Sequence, residues 1–209
     1  MTTHRRYCLI MTNQEARTKV QPLVDVLIQA GWSADVISHL PSAQEIRDRR
    51  TFMIVSHHNG LLLQQEQIDT LEGRVFNLHP SVLPLNRGSS PIMWATLSST
   101  VYGVTLHQVN IAIDKGRPVL QRTLEIDEDL TLAQIYRCHE LLWYEMFTDL
   151  TKRDVWSESP DELVVEPLVL GRGTYNSRHA SNLAFTTFQS GWNTVARNAR
   201  EQYHSRFGL

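Results

Sequence analysis

The chain has little of what secreted and membrane proteins need. Its 209 residues include only two cysteines, Cys8 and Cys138, which are too few for a disulfide framework. Both lie in apolar patterns, so we expect buried, reduced thiols. No apolar run approaches the ~18 residues of a membrane-spanning helix, and the apolar stretch after Arg6 is too short for a signal peptide. These absences predict a cytoplasmic protein without a membrane partner.

The chain also lacks two features that common ligand classes require, a net positive charge and a glycine-rich loop. The formal net charge of −2 at pH 7 gives no general reason to expect a nucleic-acid partner. The first predicted strand, residues 7–11, is followed by Thr-Asn-Gln-Glu-Ala, so the glycine-rich phosphate loop of dinucleotide-binding proteins is absent. The adjacent His57 and His58 would point to opposite faces of a strand and have no companions at metal-ligand spacing, so we predict no metal site.

Apolar segments of strand length alternate with amphipathic segments of helix length along most of the chain. This alternation predicts one α/β domain over residues 1–209, with a Rossmann-like, mostly parallel sheet and helices on both faces. We expect residues 157–209 to form a C-terminal extension packed on that domain. Within it, residues 164–170 are predicted as an edge strand, since Pro167 cannot donate to an interior ladder. Residues 190–203 are predicted as the last helix.

A polar pair marks the end of the predicted strand at residues 74–78. Asn77 and His79 are two residues apart, and such side chains share one face of a strand. The prolines that follow, Pro80 and Pro84, exclude a helix directly after the histidine. An amide, an imidazole and a carboxylate suffice for acyl transfer, because the amide holds an oxyanion while the imidazole moves a proton. The structural alternative is a strand-end turn in which both side chains only satisfy hydrogen bonds.

The pattern Asn-x-His-Pro-Ser-x-Leu-Pro-x-x-Arg-Gly, from Asn77 to Gly88, resembles the signature loop of folate-dependent formyltransferases. Residues 103–107 and 113–121 are similar to that family's next two segments, in the same order. The resemblance is close over residues 52–121. It implies transfer of a formyl group from N10-formyltetrahydrofolate to a primary amine, with Asn77, His79 and Asp114 as the catalytic residues.

The resemblance also indicates where the folate would bind. Its contacts would come from two loops, with the residues His58, Asn59, Gly60, Leu61, Leu62, Ile111, Ala112 and Ile113. Arg87, Ser89 and Ser90 flank the catalytic strand end and Tyr175 could fold back on it, so these four are the candidates for contact with the acceptor. The Gly-Thr-Tyr segment that contains Tyr175 resembles amino-sugar formyltransferases, so the expected acceptor is a nucleotide-linked amino sugar. A homodimer is compatible with the sequence.

The loop before Asp114 departs from the family pattern Asp-x-Gly-x-Asp-x-Gly, because Asn110 replaces the first acidic residue and Ala112 the first glycine.

Three alternative functions stay open. The chain could formylate an amino acid, a peptide or a purine-precursor amine, it could hydrolyse formyltetrahydrofolate, or it could bind folate without catalysis. Arg87 could instead close its own loop by bonding carbonyl groups. His107 is expected to be a core or supporting residue.

Overall fold

The computed structural model describes residues 6–208, and eight strands and seven α-helices lie within that range. The strands are β1 (Tyr7–Met11), β2 (Ser33–Ile37), β3 (Met53–Ser56), β4 (Val75–His79), β5 (Arg87–Gly88), β6 (Tyr102–Gln108), β7 (Pro118–Leu124) and β8 (Tyr175–Asn176). The helices are α1 (Gln21–Gln29), α2 (Ala43–Asp48), α3 (Gln65–Thr70), α4 (Pro91–Leu97), α5 (Leu132–Lys152), α6 (Arg178–Phe185) and α7 (Ala196–Phe207).

Six strands form one sheet in the order β2-β1-β3-β4-β6-β7. The pairs β1–β2, β1–β3 and β3–β4 are parallel. Residues 8–11 of β1 are fully buried, as expected for a parallel strand covered on both faces. The amide of Val109, just past β6, donates to the carbonyl of Val75 at the start of β4, so β6 runs against β4. The predicted α/β fold with a mostly parallel sheet is confirmed.

Several element ends follow from local sequence chemistry. Gly31, just after α1, has a φ of +86°, a conformation that favours glycine. Pro91 occupies the first turn of α4, where its missing N–H costs no helix bond. The Thr131 hydroxyl accepts from the amide of Gln134 at 3.2 Å and so caps the start of α5. A glycine, a proline and a threonine therefore set these three boundaries.

The chain divides into two compact units. Of the described residues, the first unit contains 6–79, 106–120 and 144–165, and the second contains 80–105, 121–143 and 166–208. The predicted extension is therefore shared between the two units. The core of the first unit includes Leu9, Met11, Ile54, Ile68 and Val75. The core of the second unit includes Met93, Trp94, Leu132, Ala184 and Ala199.

Three predictions about individual segments are wrong. Residues 164–170 form no strand, because Pro167 interrupts the ladder and the Leu168 amide donates instead to the side chain of Gln121. The last helix begins at Ala196 rather than at residue 190, and α6 lies before it. The sequence does contain a signal for the start of α6, namely Ser177, whose hydroxyl accepts from the amide of Ala180 as an N-cap. Both cysteines are free, but only Cys8 is buried, and burial raises the pKa of its thiol.

Candidate active site

The C-terminal half of β4 presents Asn77 and His79 on the same face of the sheet, as the period of two requires. Asn77 is half-buried and His79 is only 4% exposed. The strand ends at His79 because Pro80 cannot continue a hydrogen-bonded ladder. A strand thus places both polar side chains, and a strand holds side chains more firmly than a loop does.

Asp114 reaches the same place from the hairpin loop between β6 and β7. Its Oδ1 atom lies 3.6 Å from Nδ1 of His79 and 3.5 Å from Nδ2 of Asn77. The carboxylate side chain is 13% exposed, and the residue has a φ of +50°, which is uncommon for a residue other than glycine. The structure therefore brings the three predicted catalytic side chains together within the first unit.

Asn110 holds the loop that carries Asp114. Its Oδ1 accepts from the amide of Ala112 at 3.0 Å, and its Nδ2 donates to the carbonyl of Lys115 at 3.1 Å. An aspartate at this position could make the first bond but not the second, since a carboxylate has no proton to donate. The departure of this loop from the family pattern therefore has a structural reason: the amide closes the loop at both ends.

His107 on β6 is a fourth polar side chain at this site. Its Nε2 lies 3.1 Å from Nδ2 of Asn77 and 3.7 Å from Oδ1 of Asp114. Its Nδ1 lies 2.7 Å from the carbonyl oxygen of Gln108. Sequence reasoning placed His107 only in the core or in a supporting position. The sequence shows only a histidine within a strand segment, and the position of that strand beside the one that carries Asn77 is seen only in the structure.

Two more histidines follow β3. His57 is buried, with Nδ1 3.4 Å from the carbonyl oxygen of Leu78, and its ring centroid lies 4.0 Å from that of His58. Burial holds the pKa of His57 well below its ordinary value, and the neighbouring His58 and the charge of Lys19 lower it further. Burial and the charge of Lys19 lower the pKa of His58 to about 4. Both rings are therefore neutral near pH 7.

The predicted folate-contacting residues lie on two loops of the first unit. Asn59 closes the loop after β3, since its side chain accepts from the amide of Leu61 at 3.1 Å and donates to the Leu61 carbonyl at 2.9 Å. Four residues of the two loops expose apolar side chains, namely Leu61, Leu62, Ile111 and Ile113. Exposed apolar side chains on loops beside a polar site are typical of ligand-binding surfaces.

The predicted acceptor-contacting residues come together in the second unit. β5 and β8 pair in parallel, which sets Arg87 beside Tyr175. The Arg87 amide donates to the Thr174 carbonyl at 3.0 Å, and the Arg87 Nε donates to the same oxygen at 3.3 Å. The Ser89 and Ser90 hydroxyl oxygens are 3.5 Å apart, and Tyr175 is 53% exposed. Arg87 thus does close its loop onto a carbonyl, as the structural alternative requires.

A family model described as formyl transferase matches residues 11–147, which is more than half of the chain. This chain belongs to the formyl transferase family. The family prediction made from residues 77–88 is therefore confirmed. The matched segment contains Asn77, His79, His107 and Asp114 and leaves out Tyr175.

Individual formyltransferases match either about half of the chain or nearly all of it. A methionyl-tRNA formyltransferase from Acetivibrio thermocellus is 30% identical over 109 residues, which are 52% of this chain and 35% of that protein. The match therefore spans about a third of that relative. The Anoxybacillus kamchatkensis formyltransferase PseJ has a TM-score of 0.79 at 19% identity, covering 94% of this chain and 99% of PseJ. A sugar N-formyltransferase from Shewanella has a TM-score of 0.66 at 20% identity, covering 94% and 87%. At these identities the structural likeness shows the fold.

Among the helices within residues 6–208, none combines the length and apolar character needed to cross a membrane. Over the same described range, no cluster of three or more His, Cys, Asp or Glu side chains has a geometry that could hold a metal ion.

Proposed function

We propose that this formyl transferase family chain moves a formyl group from N10-formyltetrahydrofolate to a primary amine. The observation that carries the proposal is that Oδ1 of Asp114 lies 3.6 Å from Nδ1 of His79 and 3.5 Å from Nδ2 of Asn77. An amide donor, an imidazole and a carboxylate are the groups that acyl transfer to an amine requires. Membership of the family supports the same reaction class.

The reaction follows from these three groups. The neutral amine attacks the formyl carbon, and the carbonyl electron pair moves onto oxygen. Asn77 and His79 donate hydrogen bonds to this oxyanion, and loss of one such donor typically costs ~3 kcal/mol of barrier. The bond from carbon to N10 then breaks, N10 gains a proton, and the amine nitrogen loses one. His79, whose Nδ1 is 3.6 Å from Asp114, carries that proton between the two nitrogens.

The donor is proposed to lie against the loops that contain residues 58–62 and 111–113. Their exposed leucine and isoleucine side chains suit the flat, apolar faces of a pterin ring. The backbone groups of the same loops supply donors and acceptors for its polar edge. PseJ was solved with tetrahydrofolate, which supports a folate donor for a chain of the same fold.

The acceptor is proposed to be a nucleotide-linked amino sugar, held by Arg87, Ser89, Ser90 and Tyr175. Arg87 and Tyr175 are neighbours in the β5–β8 pair, and an aromatic ring next to a guanidinium suits a nucleotide. PseJ was solved with UDP-4,6-dideoxy-4-formamido-L-AltNAc, and the Shewanella protein is a sugar N-formyltransferase. The methionyl-tRNA relatives support a second candidate acceptor, an aminoacyl amine.

One assay separates the candidate functions. Purified protein is mixed with N10-formyltetrahydrofolate, and tetrahydrofolate and formate are measured with and without a panel of amines. We expect slow tetrahydrofolate release alone and fast release with a nucleotide-linked amino sugar. Fast formate production without an amine would identify a hydrolase. Stimulation only by an amino acid, a ribotide amine or aminoacyl-tRNA would refute the acceptor, and no turnover at all would refute the transferase.

A further inference from the structure

A backbone carbonyl group on the same strand fixes the tautomer of His107. Its Nδ1 is 2.7 Å from the carbonyl oxygen of Gln108, and a carbonyl oxygen can only accept a hydrogen bond. Nδ1 therefore carries the ring proton. In the neutral ring, Nε2 is then a lone-pair acceptor with no proton of its own.

That acceptor faces the side-chain amide of Asn77. Nε2 is 3.1 Å from Nδ2 of Asn77, so one of the two amide protons is donated to His107. The second proton points toward Oδ1 of Asp114, 3.5 Å away. If the amide were turned over, its carbonyl oxygen would face two acceptors, Nε2 and the carboxylate. Such a contact is repulsive, and His107 is only 2% exposed, so water cannot relieve it.

We propose that His107 is a positioning residue that holds the Asn77 amide with its NH2 group toward the reaction centre. The inference rests on the proposed function, since the hydrogen bond from the second amide proton, which faces Asp114 in the structure, is the one that the oxyanion would accept. The other titratable groups that face the ring are Asp114 at 3.7 Å and His79, with its ring centroid 6.3 Å away.

The carbonyl group of Gln108, which fixes this tautomer, lies close to the backbone of Gly116. The Gln108 amide donates to the Arg117 carbonyl, and a Cβ atom placed on Gly116 would lie 1.5 Å from the Gln108 oxygen and 2.9 Å from Nδ1 of His107. Only glycine fits there. A chain of contacts therefore runs from Gly116 through Gln108 and His107 to Asn77, all within the first unit.

The test compares two substitutions of His107. In His107→Phe an aromatic ring stays and the acceptor is lost, so kcat should fall ~10–100-fold while the donor KM changes little. In His107→Gln the side-chain oxygen can accept the Asn77 proton, so kcat should return to within a few-fold of wild type. The control is His139→Phe, which replaces a buried histidine of the second unit and should leave kcat unchanged near pH 8. Wild-type kcat in His107→Phe, or equal losses in the Phe and Gln variants, would overturn the proposal.

A second measurement does not depend on turnover. The side-chain NH2 signals of Asn77, assigned by their loss in Asn77→Asp, are recorded by 15N–1H NMR. Because only one of the two amide protons is hydrogen-bonded to residue 107, the two proton shifts should be well separated in wild type and in His107→Gln. The separation should shrink in His107→Phe. Unchanged Asn77 signals in His107→Phe would overturn the positioning role. If the protein formylated no amine, these signals would still report on the contact between His107 and Asn77. Failure of the proposed function can therefore be told apart from failure of the positioning role.

Discussion

The two units place their polar groups in different ways. In the first unit, Asn77, His79 and His107 stand on neighbouring strands and are half-buried or buried. In the second unit, Arg87 and Tyr175 stand on two-residue strands, and Tyr175 exposes about half of its surface. The first arrangement fixes side-chain positions, whereas the second offers side chains that can adapt to a ligand.

We propose that this difference separates chemistry from specificity. Buried groups on long, packed strands have little freedom, so a change there should alter kcat. Exposed groups on short strands are held mainly by backbone hydrogen bonds, so a change there should alter binding of the acceptor. The predictions below test this division, from the largest expected effect to the smallest.

The largest effect is expected from the two side chains of β4 that we propose to be catalytic. His79→Ala and Asn77→Ala should each lower kcat by about a hundredfold or more with folate affinity little changed, since their hydrogen bonds form mainly in the transition state. Single-turnover rates and folate titration provide the measurement. The control is His39→Ala, which removes an exposed histidine of the same unit. Near wild-type rates in either β4 variant would show that chemistry does not reside in the buried group.

The second prediction asks whether buried histidines outside the site affect only stability. Burial lowers the pKa of His139 to about 4, whereas an unfolded histidine titrates near ~6.5. Because the folded pKa is the lower one, the unfolded chain binds the proton first. The free energy of unfolding should then fall as the pH drops from ~6.5 to ~4, by about 2 kcal/mol at pH ~5.

The measurement is urea unfolding of wild type and His139→Phe at pH 7.5 and pH 5. The variant should lose less stability than wild type between the two pH values, because it removes the group that titrates. His179→Gln, at an exposed histidine of the same unit, is the control and should behave as wild type. An equal pH dependence in wild type and His139→Phe would contradict the buried, neutral state.

The sequence predicts the positions of Asn77 and His79 better than those of the rest of the candidate site, for a physical reason. Asn77 and His79 share a strand, so a period of two places them together, and the prolines after them mark where the strand ends. Asp114 could be found only by resemblance, because a loop residue with φ of +50° has no periodic signal. His107 was underrated because its partner is on another strand, and strand order cannot be read from local sequence.

The second unit was the harder one to predict. Residues 164–170 have the composition of a strand, but Pro167 has no N–H to donate to a neighbouring strand. The Leu168 amide donates to the side chain of Gln121 instead. β8 is only two residues long and pairs with a strand 88 positions earlier, since Arg87 is opposite Tyr175. Such short, distant pairings depend on tertiary packing rather than on propensity.

The third prediction concerns the exposed β5–β8 pair. Gly88 has a φ of +89°, and a Cβ atom there would lie 2.3 Å from the Asn176 carbonyl oxygen and 2.9 Å from the Tyr175 ring. Gly88→Ala should separate the two strands and raise the acceptor KM by about 5–10-fold, with the donor KM nearly unchanged. Gly171→Ala is the matched control, since Gly171 also has a positive φ, +111°, but no neighbour within 4 Å. Equal effects of the two changes on the acceptor KM would mean that backbone strain, and not the strand pair, matters.

The smallest effect is expected where the chain departs from its family. Asn110→Asp keeps the bond from the Ala112 amide but loses the one to the Lys115 carbonyl, and it places a carboxylate against that oxygen. Loss of one partly exposed hydrogen bond costs about 1 kcal/mol, so the loop should loosen and Asp114 should spend less time near His79. We expect kcat to fall ~3–5-fold with the acceptor KM unchanged. Asn110→Ala removes both bonds and should be worse than Asn110→Asp, because it leaves the Ala112 amide without its acceptor. If Asn110→Asp were instead as active as wild type, the second bond would not be needed to hold Asp114, and the substitution in this chain would have no catalytic consequence.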